Sequence, residues 1–242
     1  MSRPKPAHPS LTFGTSGWRA VIADQFTFGH VRLVTRAIAD YLADQGLAGR
    51  PVVVGYDTRF LSDRFARDAA AVLAGRGWRV LLATRDTPTP VVSHAILHAR
   101  AAGGVNITAS HNPPEYNGIK FSPSWAGPAL PETTGWIERR IVELQRKPPD
   151  EGGSERAGSI EPLDPREAYL THLGTVVDGA VIQSAKLRVV VDVLYGTARG
   201  YLDACLTAEG CDVILLHGEP DPLFGGGAPD PSERRLTEMA AL

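Results

Sequence analysis

Ser110, His111 and Asn112 stand one residue after the run Val105-Asn-Ile-Thr108, and directly before Pro113 and Pro114. A hydroxyl nucleophile beside a group that titrates near neutrality is a pairing suited to group transfer. The run reads as a strand, and the two prolines prevent the following residues from continuing as a helix. In α/β proteins, functional residues collect at the carboxyl ends of strands, where this loop must lie. Ser, His, Asn and Pro are also ordinary turn residues, and spacing alone leaves both readings open. No GxSxG elbow surrounds Ser110, which argues against a serine hydrolase of that type.

The elements that must carry this loop alternate along the chain. Thr27 can cap a helix through Val31, Val34, Ile38, Tyr41 and Leu42, with Gly46 as its stop. Pro51-Val-Val-Val-Gly55 reads as a strand buried on both faces, because its apolar residues are consecutive. A helix opens at Ser62, a strand follows at Trp78–Ala83, and a third helix spans Val91–Ala101. Val105–Thr108 is the next strand, Gly118–Ser122 can return as its hairpin partner, and a helix over Glu132–Arg146 closes the unit. The pattern predicts an α/β fold: a mixed, mainly parallel sheet with helices on both faces, followed by a second α/β domain.

The first domain is expected over residues 1–148, a Pro, Gly, Ser and acidic linker over 149–164, and the second domain over 165–242. In the second, helices at Arg166–Val177 and Thr197–Glu209 alternate with strands at Leu187–Leu194 and Asp212–Leu216. Two strands with little after them are short of a core, so the second domain is expected to be truncated and the chain a fragment.

Composition narrows the partners. The formal net charge is −2, which gives no global attraction for nucleic acid or an anionic membrane. No stretch approaches the roughly 20 apolar residues of a membrane span, and the N-terminus lacks the apolar core of a signal peptide. Cys205 and Cys211 have no zinc-motif spacing and read as two thiols in a reducing cytoplasm.

The segment "TASHNPPEYNGIKFS" (Thr108–Ser122) resembles the active-site segment of the α-D-phosphohexomutases, the phosphoglucomutase/phosphomannomutase family. "TFGTSGWRA" (Thr12–Ala20), "GYDTR" (Gly55–Arg59) and "TPTP" (Thr87–Pro90) resemble the segments that accompany it. "VVVDVLYGTARGYL" (Val189–Leu202) and "DPLFGGGAPDPSERRL" (Asp221–Leu236) resemble the family's second domain, all in the family's order. The resemblance implies a phosphorylated Ser110 that exchanges its phosphoryl group with a hexose phosphate through a bound bisphosphate. It also implies Mg²⁺, with the phosphate on Ser110 as one ligand, and glucose 1,6-bisphosphate as activator.

By the same resemblance Arg19 stabilises phosphoryl charge, with Thr15, Ser16, His111 and Lys120 as further phosphate or substrate contacts. Lys120 is the candidate general base and needs a lowered pKa, which burial and Arg19 can supply; His111 competes for the role. Asn112 is expected to hold the loop by Asx-type bonds to backbone. Asp57 and Arg59 read equally as a pair supporting the loop and as an ordinary surface ion pair. Gly225–Gly227 reads as a turn, and His94, His98 and Trp136 as packing or surface residues. No aspartate-rich loop of the family's "DGDxDR" kind is present, so the remaining metal ligands are expected to be absent. Glucose phosphates are the first expectation for substrate and mannose phosphates the second. The alternative is a non-catalytic remnant that binds phosphosugars or pairs with a chain carrying the missing domains. The open edge of a truncated sheet also predicts self-association.

Overall fold

The computed structural model describes residues 11–14, 17–146 and 157–242. Its larger sheet holds β1 (Trp18–Val21), β2 (Val52–Tyr56), β3 (Val80–Ala83), β4 (Gly103–Ile107), β5 (Tyr116–Pro123) and β6 (Ile160–Leu163). They lie in the order β1-β5-β4-β2-β3-β6. β2 pairs parallel with β3 and β4, and β3 pairs parallel with β6. β5 runs antiparallel to both β4 and β1, with Asn106 opposite Lys120 and Arg19 opposite Gly118. The sheet is mixed and mainly parallel.

The three valines of β2 explain how both faces are covered. Val52 and Val54 point into a core shared with α1 (Phe28–Asp44), α2 (Ser62–Gly75) and α4 (Pro131–Arg146). Val53, between them, turns to the opposite face and meets Val92, Ala95 and Ile96 of α3 (Thr89–His98). A period of two thus divides a continuous apolar run between two helical layers. α3 approaches so closely that a Cβ on Gly104 would stand 2.7 Å from Cδ1 of Ile96. A larger residue there would push the Ile96 side chain aside.

Local signals account for the helix starts. The Thr27 hydroxyl accepts from the backbone N–H of His30 at 3.3 Å, which caps α1 as expected. α2 begins at Ser62, but the Ser62 hydroxyl is not a cap: it donates to Asp57 Oδ1 at 2.7 Å.

Strand β6 lies inside the segment 149–164 that composition marks as a linker. Its residues extend the sheet instead, and Arg79 of the β3 approach grips Glu161 with bonds of 2.8 and 2.7 Å. Pro162 obscured this strand, yet an edge strand tolerates a residue with no N–H to donate. The expected linker residues 149–156 lie outside the described residues.

The second region comprises α5 (Arg166–Val176), α6 (Gly179–Ala185), β7 (Arg188–Asp192), α7 (Leu202–Ala208), β8 (Asp212–Leu216) and α8 (Thr237–Ala240). β7 and β8 form a parallel two-stranded sheet. α6 was not anticipated; its signal was Asp178, whose carboxylate accepts from Ala180 N at 3.1 Å. α7 is shorter than the expected Thr197–Glu209 helix. No helix among the described residues is long and apolar enough to cross a membrane.

Candidate active site

The carboxyl ends of β2 and β4 deliver the two segments that build the site. β4 ends at Ile107, and Thr108–Asn112 leave the sheet as a loop in which Thr108 and Ala109 stay buried and Ser110 and His111 reach solvent. Ser110 is solvent-exposed and adopts φ 59°, in the left-handed region. For a residue with a Cβ, that conformation costs on the order of 1 kcal/mol and persists only where surrounding contacts hold it. Two local bonds contribute: Ser110 N donates to Thr108 Oγ1 at 3.0 Å, and Asn112 N donates to the Ala109 carbonyl at 3.2 Å.

The main hold comes from Arg59, just past the end of β2. Its side chain has no solvent exposure. One terminal nitrogen donates to the carbonyls of Pro113 (2.7 Å) and Tyr116 (3.0 Å). The other donates to those of Ser110 (2.8 Å) and Asn112 (2.6 Å). Its Nε faces Asp57 Oδ2 at 3.2 Å. A planar fork of donors is the geometry that can span four carbonyls at once. Asp57 is in turn fixed by the Arg59 N–H at 3.0 Å and the Ser62 hydroxyl at 2.7 Å. Burial pushes the Asp57 carboxyl above its ordinary range, while Arg59 and the hydroxyls of Thr108 and Ser62 pull it back down. Asn117 closes the network by donating to Ser62 Oγ at 2.9 Å.

Of the two open readings of Asp57 and Arg59, the geometry selects the pair that supports the loop. Four carbonyl bonds from one buried guanidinium are not a surface ion pair. No spacing rule marks Arg59 for this; the bond pattern depends on where β2 and β4 end side by side.

Arg19 and Lys120 flank the loop from β1 and β5. Arg19 donates to the Asn112 side-chain oxygen at 2.7 Å, and its Nε is buried with no partner among the described residues. Asn112 therefore holds the loop differently from the expectation. Its side-chain oxygen receives Arg19 rather than a backbone N–H, because the neighbouring strand brings a cation within reach. Lys120 is half-buried, and burial, reinforced by Arg19, lowers its pKa from the ordinary lysine value against an opposing pull from Asp57. His111 is exposed beside Ser110. Thr15 and Ser16 lie outside the described residues. Gly17, next to them, has φ 81°, and a Cβ there would meet the Ile119 carbonyl oxygen at 2.3 Å, so the loop enters β1 pressed against β5.

The structure brings Ser110, His111, Arg19 and Lys120 to one edge of the sheet. An exposed hydroxyl, a guanidinium and a lysine of lowered pKa are groups that can bind an anion and move a proton. Among the described residues, no group of three or more His, Cys, Asp or Glu side chains could hold a metal ion. Asp57, the carboxylate behind the loop, is committed to Arg59 and Ser62. These residues do not form a Mg²⁺ cage by themselves.

The chain resembles known proteins along nearly its whole length. It is 34% identical to a phosphoglucomutase of Komagataeibacter xylinus, over 92% of this chain and 43% of the relative. It is 35% identical to a probable phosphoglucosamine mutase of Methanothermobacter thermautotrophicus, over 97% and 49%. A crystal structure of a putative phosphomannomutase from Thermus thermophilus superposes with a TM-score of 0.85 at 36% identity, covering 96% of this chain and 51% of that one. The chain thus spans about half the length of these relatives. Residues 10–147 match the model of the phosphoglucomutase/phosphomannomutase α/β/α domain I, and residues 167–242 match that of domain II. The loop that Arg59 holds is the segment carrying the family resemblance, and the chain belongs to the phosphoglucomutase/phosphomannomutase family.

Proposed function

We propose that Ser110 carries a phosphoryl group and exchanges it with a hexose phosphate, as part of a mutase that interconverts the 1- and 6-phosphates. Glucose phosphates are the first choice and mannose phosphates the second. The observation that supports this most is Ser110 itself: exposed, in a left-handed conformation, and anchored from beneath by Arg59. Relatives named as phosphoglucomutase and as phosphoglucosamine mutase agree on a phosphosugar and differ on the sugar.

In the forward step the bond between phosphorus and Ser110 Oγ breaks, and a bond forms from phosphorus to a sugar hydroxyl oxygen. Lys120 Nζ, whose pKa burial and then Arg19 lower from the ordinary lysine value, takes the proton of that hydroxyl. After the bisphosphate turns over, the other phosphoryl group passes to Ser110 Oγ. Ser110 Oγ, which took a proton from water when its phosphoryl group left, returns that proton to water as it bonds to the second phosphorus, and the proton on Lys120 passes to the sugar oxygen released from that phosphorus. Arg19, which reaches the loop at the Asn112 side chain, offsets charge on the phosphoryl oxygens. His111, with Thr15 and Ser16, contacts phosphate. Mg²⁺, when bound, offsets the developing charge, and the phosphate on Ser110 offers it one oxygen. Among the described residues no group of three or more His, Cys, Asp or Glu side chains could complete its ligand set. A cytoplasmic setting fits such a substrate.

The test is a coupled mutase assay with glucose 1-phosphate, Mg²⁺ and glucose 1,6-bisphosphate, paired with intact-mass detection of phosphoryl uptake. Uptake that Ser110→Ala abolishes supports the reading, whether or not this chain turns over. Binding of phosphosugar without uptake at Ser110 would favour the alternative of a non-catalytic binder.

A further inference from the structure

We infer that Phe224 is a positioning residue for Ser110, acting through Arg59; the inference rests on the reading of Ser110 as the phosphoryl-bearing group. The two terminal nitrogens of the Arg59 guanidinium are directed to four loop carbonyls, and Nε lies 3.2 Å from Asp57 Oδ2 in an ion pair without making a hydrogen bond. What remains open is the flat face of the guanidinium. The ring of Phe224 covers it, with Cζ of Arg59 5.0 Å from the ring centroid. Phe224 is itself only 2% exposed. A cation over an aromatic face is attracted to it, and more strongly where water is excluded. The ring also keeps water from competing for the carbonyls of Ser110, Asn112, Pro113 and Tyr116. A loop stapled through a sealed guanidinium is held more rigidly than one stapled through a wet one.

Phe224 comes from the second region, so this contact links the two regions at the serine loop. The turn that presents it is tightly specified. Phe224 N donates to the Asp221 carbonyl at 3.0 Å, and the Asp221 carboxylate accepts from Leu223 N and Gly225 N, each at 2.8 Å. Arg235 donates to the Phe224 carbonyl. Phe224 adopts φ 52°, an unfavourable conformation for an aromatic residue, which these contacts hold in place. A second tie lies one residue before Arg59, where Thr58 Oγ1 donates to the Tyr195 carbonyl at 3.1 Å. Residues 58 and 59 are therefore both gripped from the second region, one at the backbone of Tyr195 and one by the ring of Phe224. Ser110 feels that grip through the guanidinium.

The experiment compares the wild-type chain with Phe224→Ala and Phe224→Leu by amide hydrogen exchange, read separately over residues 108–116 and over β2. In Phe224→Ala, exchange over 108–116 rises about tenfold, the size of effect that losing a desolvated cation–π contact brings, while β2 stays at its wild-type rate. Phe224→Leu keeps apolar volume without the aromatic face, and its loop exchange lies between the two. Phosphoryl uptake by Ser110 from glucose 1,6-bisphosphate slows in the same order. Loop exchange at the wild-type rate in both variants overturns the inference, as does a rise in β2 equal to that in the loop. If Phe224→Ala fails to fold, Phe224→Leu decides alone by the same loop readout. A wild-type chain that takes up no phosphoryl group, yet shows the exchange order, counts against the reading of Ser110 and leaves the positioning by Phe224 intact.

Discussion

The two sheets bury their apolar residues to different extents. In the larger sheet, Val52, Val54, Val105, Ile107 and Ile119 are fully enclosed, with α1, α2 and α4 on one face and α3 on the other. In the β7–β8 pair only Val191 is buried, and Val176, Val181 and Leu202 on the helices of the same region stand more than half exposed. Leu170, Leu173, Ile182 and Leu206 line an open apolar groove between α5, α6 and α7. The larger sheet can hold a strained serine loop because its own strands are rigidly enclosed. The smaller region contributes by contact at particular points: Phe224 on Arg59, Tyr195 on Thr58, and Arg199 on Asp86. A weakly enclosed region can still specify an active loop if it touches the loop's anchor.

Breaking the anchor tests this contrast most severely. Arg59→Met leaves Asp57 buried without its cation and four carbonyls without a donor. Removing one partner of a buried pair costs about 3–5 kcal/mol. Chemical denaturation should show a loss in that range, together with loss of phosphoryl uptake at Ser110. A loss below about 1 kcal/mol, the scale of an exposed pair, would mean that Arg59 is not the anchor.

Truncations inside the two cores come next. Ile107→Ala empties a fully enclosed site in the larger sheet and should cost about 3 kcal/mol, within the range for buried Ile to Ala. Val191→Ala removes less volume from a site whose surroundings can collapse, and should cost about 1 kcal/mol. Equal losses in the two variants would show that the second region is as tightly packed as the first.

How much of this was legible in the sequence follows the range of each interaction. The Thr27 cap and the valines of β2 are local signals, and they were readable because capping and two-sided burial act within a few residues. Ser110, Lys120 and Arg19 were singled out through resemblance, and no local physical signal marks them. Ser62 was placed at the right helix start, but its partner, Asp57, is fixed by the tertiary network. Asn112 was read as making backbone bonds because those are the local option; Arg19, 93 residues away in sequence, supplies a stronger one. β6 was missed because Pro162 and its polar neighbours look like loop until β3 lies beside them. The contact of Phe224 with Arg59 has no local signature at all.

Lys120 sharpens the comparison through pH. Its folded pKa is lowered, chiefly by burial and then by Arg19. Between that lowered value and the ordinary lysine value, the unfolded chain binds more protons than the folded one, so stability rises with pH across this window. Below the window the charged, half-buried ammonium is a constant burden. Lys120→Met should therefore raise the denaturation midpoint at neutral pH and flatten the rise toward alkaline pH, while abolishing turnover in the assembled mutase. A variant less stable than wild type at neutral pH would mean that the ammonium is not destabilising where it sits.

The smallest effects belong to the sheet edges. Arg79 and Glu161 tie β6 to β3 by two short bonds, with the side chains 55% and 41% exposed. Arg188 and Asp212 tie β7 to β8 by one contact of 3.3 Å, with both side chains 71% exposed. A double-mutant cycle to alanine should give the larger coupling for the first pair, whose two parallel bonds fix its geometry. The second, a single contact in water, should give under about 0.3 kcal/mol. Because both pairs lie between parallel strands on the surface, they differ chiefly in how well the partners are held. A larger coupling in the second pair would place the rigid edge in the smaller sheet and reverse the contrast between the two regions.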